Sequence, residues 1–250
     1  MLKIINSGCS GYMGRVVTGI AESDSNVKIV AGLDINTKIQ ADYPVFKDLR
    51  EFTGDADVVV DFSHPSTLDG LLAYCIPKIM PLVLCSTGYT AEQLEAIEIA
   101  SKRVAIFRSG NMSVGINLLS ELIKRAAQTL GEDFDIEIVE RHHRRKIDAP
   151  SGTALMLSDA AASGLSYEPD IVYERESVRK PRAANEIGIS AVRGGTIVGV
   201  HEVIFAGQDE VIEFRHTAAS RDVFAVGAMR AAKYMAGKTA GLYSMKDVLY

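Results

Sequence analysis

Three glycines, Gly8, Gly11 and Gly14, follow the short apolar run Leu2–Asn6 and open the stretch Tyr12–Ala21, in which Met13, Val16, Val17 and Ile20 recur at helical spacing. Strand, glycine turn and helix in that order let the backbone turn tightly and approach a diphosphate, whose charge then rests on the amides of the helix N-terminus. Glycines also gather in turns for conformational reasons alone. The residues beyond the turn narrow the choice. A second apolar run, Val27–Asp34, is closed by a carboxylate 20 residues after Gly14, where this architecture uses an acid to accept hydrogen bonds from the adenosine ribose. Asp34 beside Asn36 is compatible with a simple turn former, but strand, glycines, helix and terminal acid together point to a bound dinucleotide.

The remaining strand-like runs of the first part are Val58–Phe62, Pro81–Cys85 and Val104–Phe107, with helix-like stretches at Thr67–Tyr74 and Ala91–Ser101. Apolar strands alternating with helices imply an α/β fold, a doubly wound Rossmann-type parallel sheet covered on both faces. Beyond Ser113 the order becomes α+β. A long helix over Val114–Leu130 is followed by a strand over Phe134–Arg141 and a helix over Ser151–Ala162, then by strands over Ile187–Val192, Ile197–Ala206 and Val211–Thr217. Arg193-Gly194-Gly195 reads as a hairpin turn between the first two of these last strands, and the polar segment Ser166–Asn185 as a mobile loop. A final helix, Val223–Ala236, is expected to return to the first domain. The expected division is therefore 1–112 with 221–250 as the dinucleotide-binding domain and 113–220 as a second domain, with hinges near Ser113 and Ser220.

Cofactor contacts are expected along Gly8, Cys9, Ser10, Gly11, Tyr12, Met13 and Gly14, and at Asp34. A carboxylate at Asp34 repels the 2'-phosphate of NADP, so NADH is the preferred cofactor; Lys38 is the cation placed to let NADPH be accepted. Phe62-Ser63 and Cys85-Ser86-Thr87-Gly88 lie past the third and fourth strands, at the carboxyl edge where open sheets bind ligands, although ordinary turns occur there too.

The second concentration of chemistry is the run Arg141-His142-His143-Arg144-Arg145-Lys146, six basic or imidazole side chains in a chain of formal net charge −5. Such runs are often only solvated faces. Here Pro150-Ser151-Gly152-Thr153 follows as a capped helix start that adds amides and a hydroxyl. Cations, exchangeable imidazoles and a helix N-terminus together suit a small dicarboxylate that must also receive a proton. The adjacent histidines lack zinc-ligand spacing, and Cys9, Cys75 and Cys85 form no CxxC pair, so no metal is expected. His64, His201 and His216 read as structural. The acidic balance argues against a nucleic-acid partner, and the absence of a long apolar run against a membrane; a cytoplasmic enzyme is expected.

The stretch Glu140 to Ala154, ERHHRRKIDAPSGTA, resembles the signature of the dihydrodipicolinate (4-hydroxy-tetrahydrodipicolinate) reductase family. Gly8–Gly14, Asp61-Phe62-Ser63, Ser86-Thr87-Gly88, Asn111-Met112-Ser113-Val114-Gly115 and Val200-His201-Glu202 resemble further family motifs in family order. The resemblance implies reduction of 4-hydroxy-tetrahydrodipicolinate to tetrahydrodipicolinate, a step of diaminopimelate and lysine biosynthesis, with water lost, hydride passing from the nicotinamide to C4 of the conjugated system and a proton coming from a protein acid. By position it implies His142 as the acid-base residue and Lys146 as the second active residue. His143, Ser151, Gly152 and Thr153 would bind the cyclic dicarboxylate, and Gly110, Asn111, Met112 and Ser113 would lie against the cofactor. It further implies a homotetramer built through the second domain's sheet, and closure of the domains around both ligands. Cys85 stands where the family usually has glycine and Gly110 where alanine or proline is common. Other readings of the same scaffold are a dehydrogenase of another small acid such as aspartate, and a non-catalytic dinucleotide sensor.

Overall fold

The computed structural model describes all residues, 1–250. In chain order its elements are β1 Leu2–Ser7, α1 Tyr12–Glu22, β2 Val27–Leu33, β3 Val45–Phe46, β4 Val58–Asp61, α2 Leu68–Lys78, β5 Leu82–Leu84, α3 Ala91–Ser101 and β6 Ala105–Arg108. These are followed by α4 Val114–Leu130, β7 Asp135–His142, α5 Gly152–Ala162, β8 Asp170–Val172, β9 Glu186–Arg193, β10 Gly199–Ala206 and β11 Val211–Ala218. The chain finishes with α6 Asp222–Met235, β12 Gly241–Tyr243 and α7 Met245–Leu249. Two compact units result: Met1–Ser113 with Asp222–Tyr250, and Val114–Arg221.

The first unit carries a seven-stranded sheet in the order β12-β6-β5-β4-β1-β2-β3, every pairing parallel. Val58, Val59 and Val60 are all fully buried, whichever way their side chains point. That is the signature of a sheet covered by helices on both faces, and the doubly wound α/β architecture expected from the strand runs is what forms. On one side Leu71, Tyr74, Leu82, Ile97 and Ile106 pack into a common core. The glycine turn is set by sterics. Gly8 has φ +79°, a conformation that L side chains rarely adopt, and a Cβ there would stand 2.8 Å from the carbonyl carbon of Phe62. At Gly14 a Cβ would come within 2.2 Å of the Gly8 carbonyl oxygen, so α1 can lie this close to the turn only without a side chain.

The second unit is a five-stranded mixed sheet in the order β11-β10-β7-β9-β8. Burial alternates along β7, where Ile136, Ile138, Glu140 and His142 are buried and the residues between them are not. One face of the sheet is therefore packed, by α4 and α5 through Ile123, Ala127, Leu157 and Ala161, and the other is left open. Removing a core side chain such as Ile138 should cost about 2–5 kcal/mol.

Two expectations are corrected here. Arg193-Gly194-Gly195 is no hairpin turn: β9 and β10 do not pair but flank β7, parallel and antiparallel to it respectively. The intervening residues cross the end of β7, where Gly194 N–H donates to the His142 carbonyl at 2.9 Å. The segment Ser166–Asn185 holds strand β8 and is pinned by two arginines. Arg182 bonds Asp135 at 2.6 Å and Glu137 at 3.1 Å, and Arg175 pairs with Glu137 and Glu186. Smaller differences concern ends: α2 runs on to Lys78 with Pro77 in its last turn, and β10 begins at Gly199.

Candidate active site

In the first unit the ends of β1, β2 and β4 border a cleft of ≈ 870 Å³. Of the expected cofactor residues, Gly8, Ser10, Gly11, Asp34, Phe62 and Ser63 line it. Helix α1 starts at Gly11 without a side-chain cap, whereas Thr90 caps α3 and Ser151 caps α5. The first amides of α1 are thus offered to an anion. Asp34 Oδ2 accepts from Ser10 N–H and Oδ1 from Asn36 N–H, both at 2.9 Å. Burial raises its pKa, but the amide hydrogen bonds outweigh that and hold the carboxyl below its ordinary value, hence ionised at neutral pH. Lys38 is exposed and does not line the cleft. The cations that do are Lys47 and Arg50, the latter paired with Asp48.

The other expected cofactor residues lie off this cleft. Cys9 is buried behind the turn, its thiol pushed up to about 11 by burial and by Asp34. Tyr12, Met13 and Gly14 belong to the first turn of α1. Cys85, Ser86, Thr87 and Gly88 follow β5, and Ser86 Oγ turns inward to Asp61 Oδ2 at 2.9 Å. Gly110 to Ser113 follow β6; Met112 is buried, and Asn111 Oδ1 accepts from Ser113 N–H at 2.8 Å. Asp61 itself is not among the expected cofactor contacts. It is fully buried and takes hydroxyls from Ser7 at 2.6 Å, from Ser63 and from Ser86. The sequence does carry a signal for it: like Asp34, it is an acid closing an apolar strand.

In the second unit strand geometry sorts the basic run. Arg141 points to one face and pairs with Glu202 at 3.0 Å. His142 and Glu140, two residues apart, share the other face, and Glu140 Oε2 lies 2.6 Å from His142 Nδ1. Glu140 is fully buried and saturated: Arg193 grips both oxygens at 2.6 and 2.8 Å, and Ser151 N–H donates to Oε1 at 3.0 Å. Burial pushes its carboxyl up, but Arg193 and His142 outweigh burial and hold it below its ordinary value. An ionised carboxylate can only accept, so His142 carries its hydrogen on Nδ1, and Nε2 is left as the nitrogen that exchanges a proton. Gly199 leaves room at that atom, since a Cβ there would be 3.2 Å from Nε2.

His201 stands edge-on to His142, ring centres 5.1 Å apart, and shares a hydrogen bond of 2.9 Å with Ser151 Oγ. Burial, then the proximity of His142, pushes its pKa down to about 4, so it is neutral. The Ser151 hydroxyl is buried and accepts from Ala154 N–H at 3.2 Å as the cap of α5. That leaves Gly152, exposed, and Thr153, partly exposed, as the reachable part of the helix start. Lys146 pairs with Asp148 at 2.9 Å. His143 Nε2 lies 3.4 Å from Arg221, and burial, Arg145 and Arg221 lower its pKa. Sequence reasoning missed Glu140 and Arg193 as site residues. The spacing of two on a strand was a signal for the first, whereas nothing in the sequence marked the second.

Comparison with known proteins finds relatives along nearly the whole chain. The family models described as dihydrodipicolinate reductase N-terminus and C-terminus match residues 2–112 and 115–249. The 4-hydroxy-tetrahydrodipicolinate reductase of Clostridium perfringens is 53% identical, covering 100% of this chain and 98% of its own; that of Caldanaerobacter subterraneus is 49% identical with the same coverage. Among solved structures, dipicolinate-bound dihydrodipicolinate reductase from Paenisporosarcina superposes with TM-score 0.79 at 25% identity, covering 98% of this chain and 97% of that one. Aspartate dehydrogenase from Thermotoga maritima superposes with TM-score 0.52 at 15% identity, a likeness of fold alone.

Proposed function

This chain belongs to the dihydrodipicolinate reductase family, and we propose that its Glu140–His142 pair is the proton-handling centre of the NAD(P)H-dependent reduction of 4-hydroxy-tetrahydrodipicolinate to tetrahydrodipicolinate. The observation that carries the reading is the 2.6 Å bond that fixes His142 through Nδ1 and leaves Nε2 to work. The bound nicotinamide would supply the hydride, to the conjugated ring that remains once the 4-hydroxyl and a neighbouring ring hydrogen have left as water. Everything else falls to the protein. His142 delivers the proton that accompanies reduction, with Glu140 stabilising the imidazolium before transfer. Lys146 and His143, with the amides of Gly152 and Thr153, hold the two carboxylates; Lys146 exchanges Asp148 for a substrate carboxylate when it does so. Aspartate as an alternative substrate has only fold likeness behind it.

The dinucleotide fits the first unit on three counts: the Gly8 cradle that a Cβ would fill, the uncapped start of α1, and the ionised Asp34. NADH is the preferred cofactor, because Asp34 repels a 2'-phosphate, and NADPH is accepted because Lys47 and Arg50 line the same cleft. A tenfold tighter affinity for NADPH than for NADH would overturn this reading of Asp34. The chain forms a homotetramer through the open face of the second sheet, where Val192 and Val211 are exposed; light scattering should give four chains. The deciding experiment monitors loss of the reduced-nicotinamide absorbance while a dihydrodipicolinate synthase generates fresh substrate. Folded protein that oxidises no cofactor would refute the activity.

A further inference from the structure

Asp61 is the buried ionisable group for which the reaction has no use. No cation accompanies it: the carboxylate is fully buried at the end of β4, and its partners are hydroxyls and one amide. Oδ1 accepts from Ser7 Oγ at 2.6 Å, from Ser63 Oγ, and from Ser63 N–H at 3.3 Å; Oδ2 accepts from Ser86 Oγ at 2.9 Å. Ser7 ends β1 and is followed by Gly8 of the glycine turn, Ser63 follows β4, and Ser86 follows β5. One side chain thus ties together three adjacent strand ends. Two of the three serines, Ser7 and Ser63, line the cleft with Gly8 and Phe62. The Asp61 carbonyl adds a fourth tie by accepting from Cys85 N–H at 2.9 Å.

A hydroxyl has one hydrogen. Those that Ser7 and Ser86 donate inward to Asp61 fix both side chains: Ser7 is fully buried and sets only the position of the β1 end, whereas Ser86, partly exposed, keeps only lone pairs for other partners. We propose that Asp61 is a positioning residue for the nicotinamide cofactor, fixing the spacing of the β1, β4 and β5 ends and leaving the partly exposed Ser86 hydroxyl as an acceptor for a donor group of the dinucleotide, such as an amide or a sugar hydroxyl. Phosphate oxygens, which only accept, are left to the amides of the glycine turn and α1. The same anchor would serve the fold just as well if it were neutral, which is what the test exploits. Asparagine matches the carboxylate in shape and removes a buried charge, so it should leave stability unchanged or raised. Its NH₂ needs an acceptor, however, and so reverses the direction of one serine bond.

The test measures NADH binding by quenching of its fluorescence, and thermal unfolding, on Asp61→Asn, Ser7→Ala and Ser86→Ala. Expected for Asp61→Asn is a midpoint within about 2 °C of the parent or above it, with the NADH Kd raised about tenfold, the equivalent of one hydrogen bond misdirected. Each serine variant should weaken NADH by a smaller factor, and dipicolinate, as a probe of the other unit, should bind all of them as it binds the parent. An NADH Kd within twofold of the parent in folded Asp61→Asn would overturn the proposal, as would a loss of affinity that only follows a loss of stability. Should Asp61→Asn not fold, the serine variants decide: unchanged NADH affinity in both refutes the assignment.

Discussion

Each unit of the molecule is organised around one fully buried carboxylate, and the two are stabilised in opposite ways. Glu140 is met by the guanidinium of Arg193, by His142 and by an amide, and its carboxyl is held below the ordinary range. Asp61 is met by serine hydroxyls and an amide only; burial outweighs them and its carboxyl is held above the ordinary range. A charge that must stabilise a neighbouring imidazolium needs to stay ionised, and a cation keeps it so. A carboxylate that only has to hold loops in place can make do with neutral donors. The contrast separates the group proposed for proton transfer from the one proposed for geometry.

The largest effect that would break this division is at His142. His142→Gln should lower turnover by roughly two orders of magnitude or more while NADH titrations stay near those of the parent; retained turnover would move the acid elsewhere. Glu140→Gln comes next, with turnover down by roughly tenfold to a hundredfold as the ring loses its orienting charge. Its pH–rate profile should also shift, which a merely structural role would not cause. At Lys146→Ala a Michaelis constant raised by about tenfold, the loss of one charge-assisted bond, is expected with turnover less affected. An unchanged constant would remove Lys146 from carboxylate binding.

The smallest effect sharpens the comparison instead. Glu140 lies below its ordinary 4.5 in the folded chain, so the stability it contributes is present above that value and lost as pH falls through its folded pKa. Asp61 lies above its ordinary 3.8, so its contribution is present below that value and lost as pH rises through its folded pKa. Thermal unfolding scanned across the acid range should therefore show Glu140→Gln flattening the loss towards low pH and Asp61→Asn flattening the decline towards neutral pH. Identical slopes in the two variants would erase the distinction.

Much of this was legible in the chain because it is local. The strands of the first sheet announce themselves as apolar runs, the glycine turn by its spacing, and α5 by Ser151 before an apolar stretch. Strands β3 and β12, of two and three residues, are too short to leave a periodicity. The hairpin reading at Arg193 failed because two glycines after a strand describe a turn without saying which strand comes to lie between its arms. The distant partners of the two buried carboxylates were illegible for the same reason. Ser7 lies 54 residues from Asp61 and Arg193 lies 53 from Glu140, and only the folded sheets bring them together.

The strand order of the first sheet bears on how the chain is made. Its edge strand β12 pairs with β6, and α6 packs on α1, β4 and β5, so segments after residue 221 complete a sheet begun at residue 2. A ribosome delivering the chain from its N-terminus releases everything needed for the second unit before the first can close. Until then β6 stays an open edge and the apolar side of α1 lies bare, the kind of surface that invites strand addition and chaperone capture. Deletions in the last thirty residues should consequently show themselves first as poor yield of soluble protein, even though no residue proposed for proton transfer has been touched.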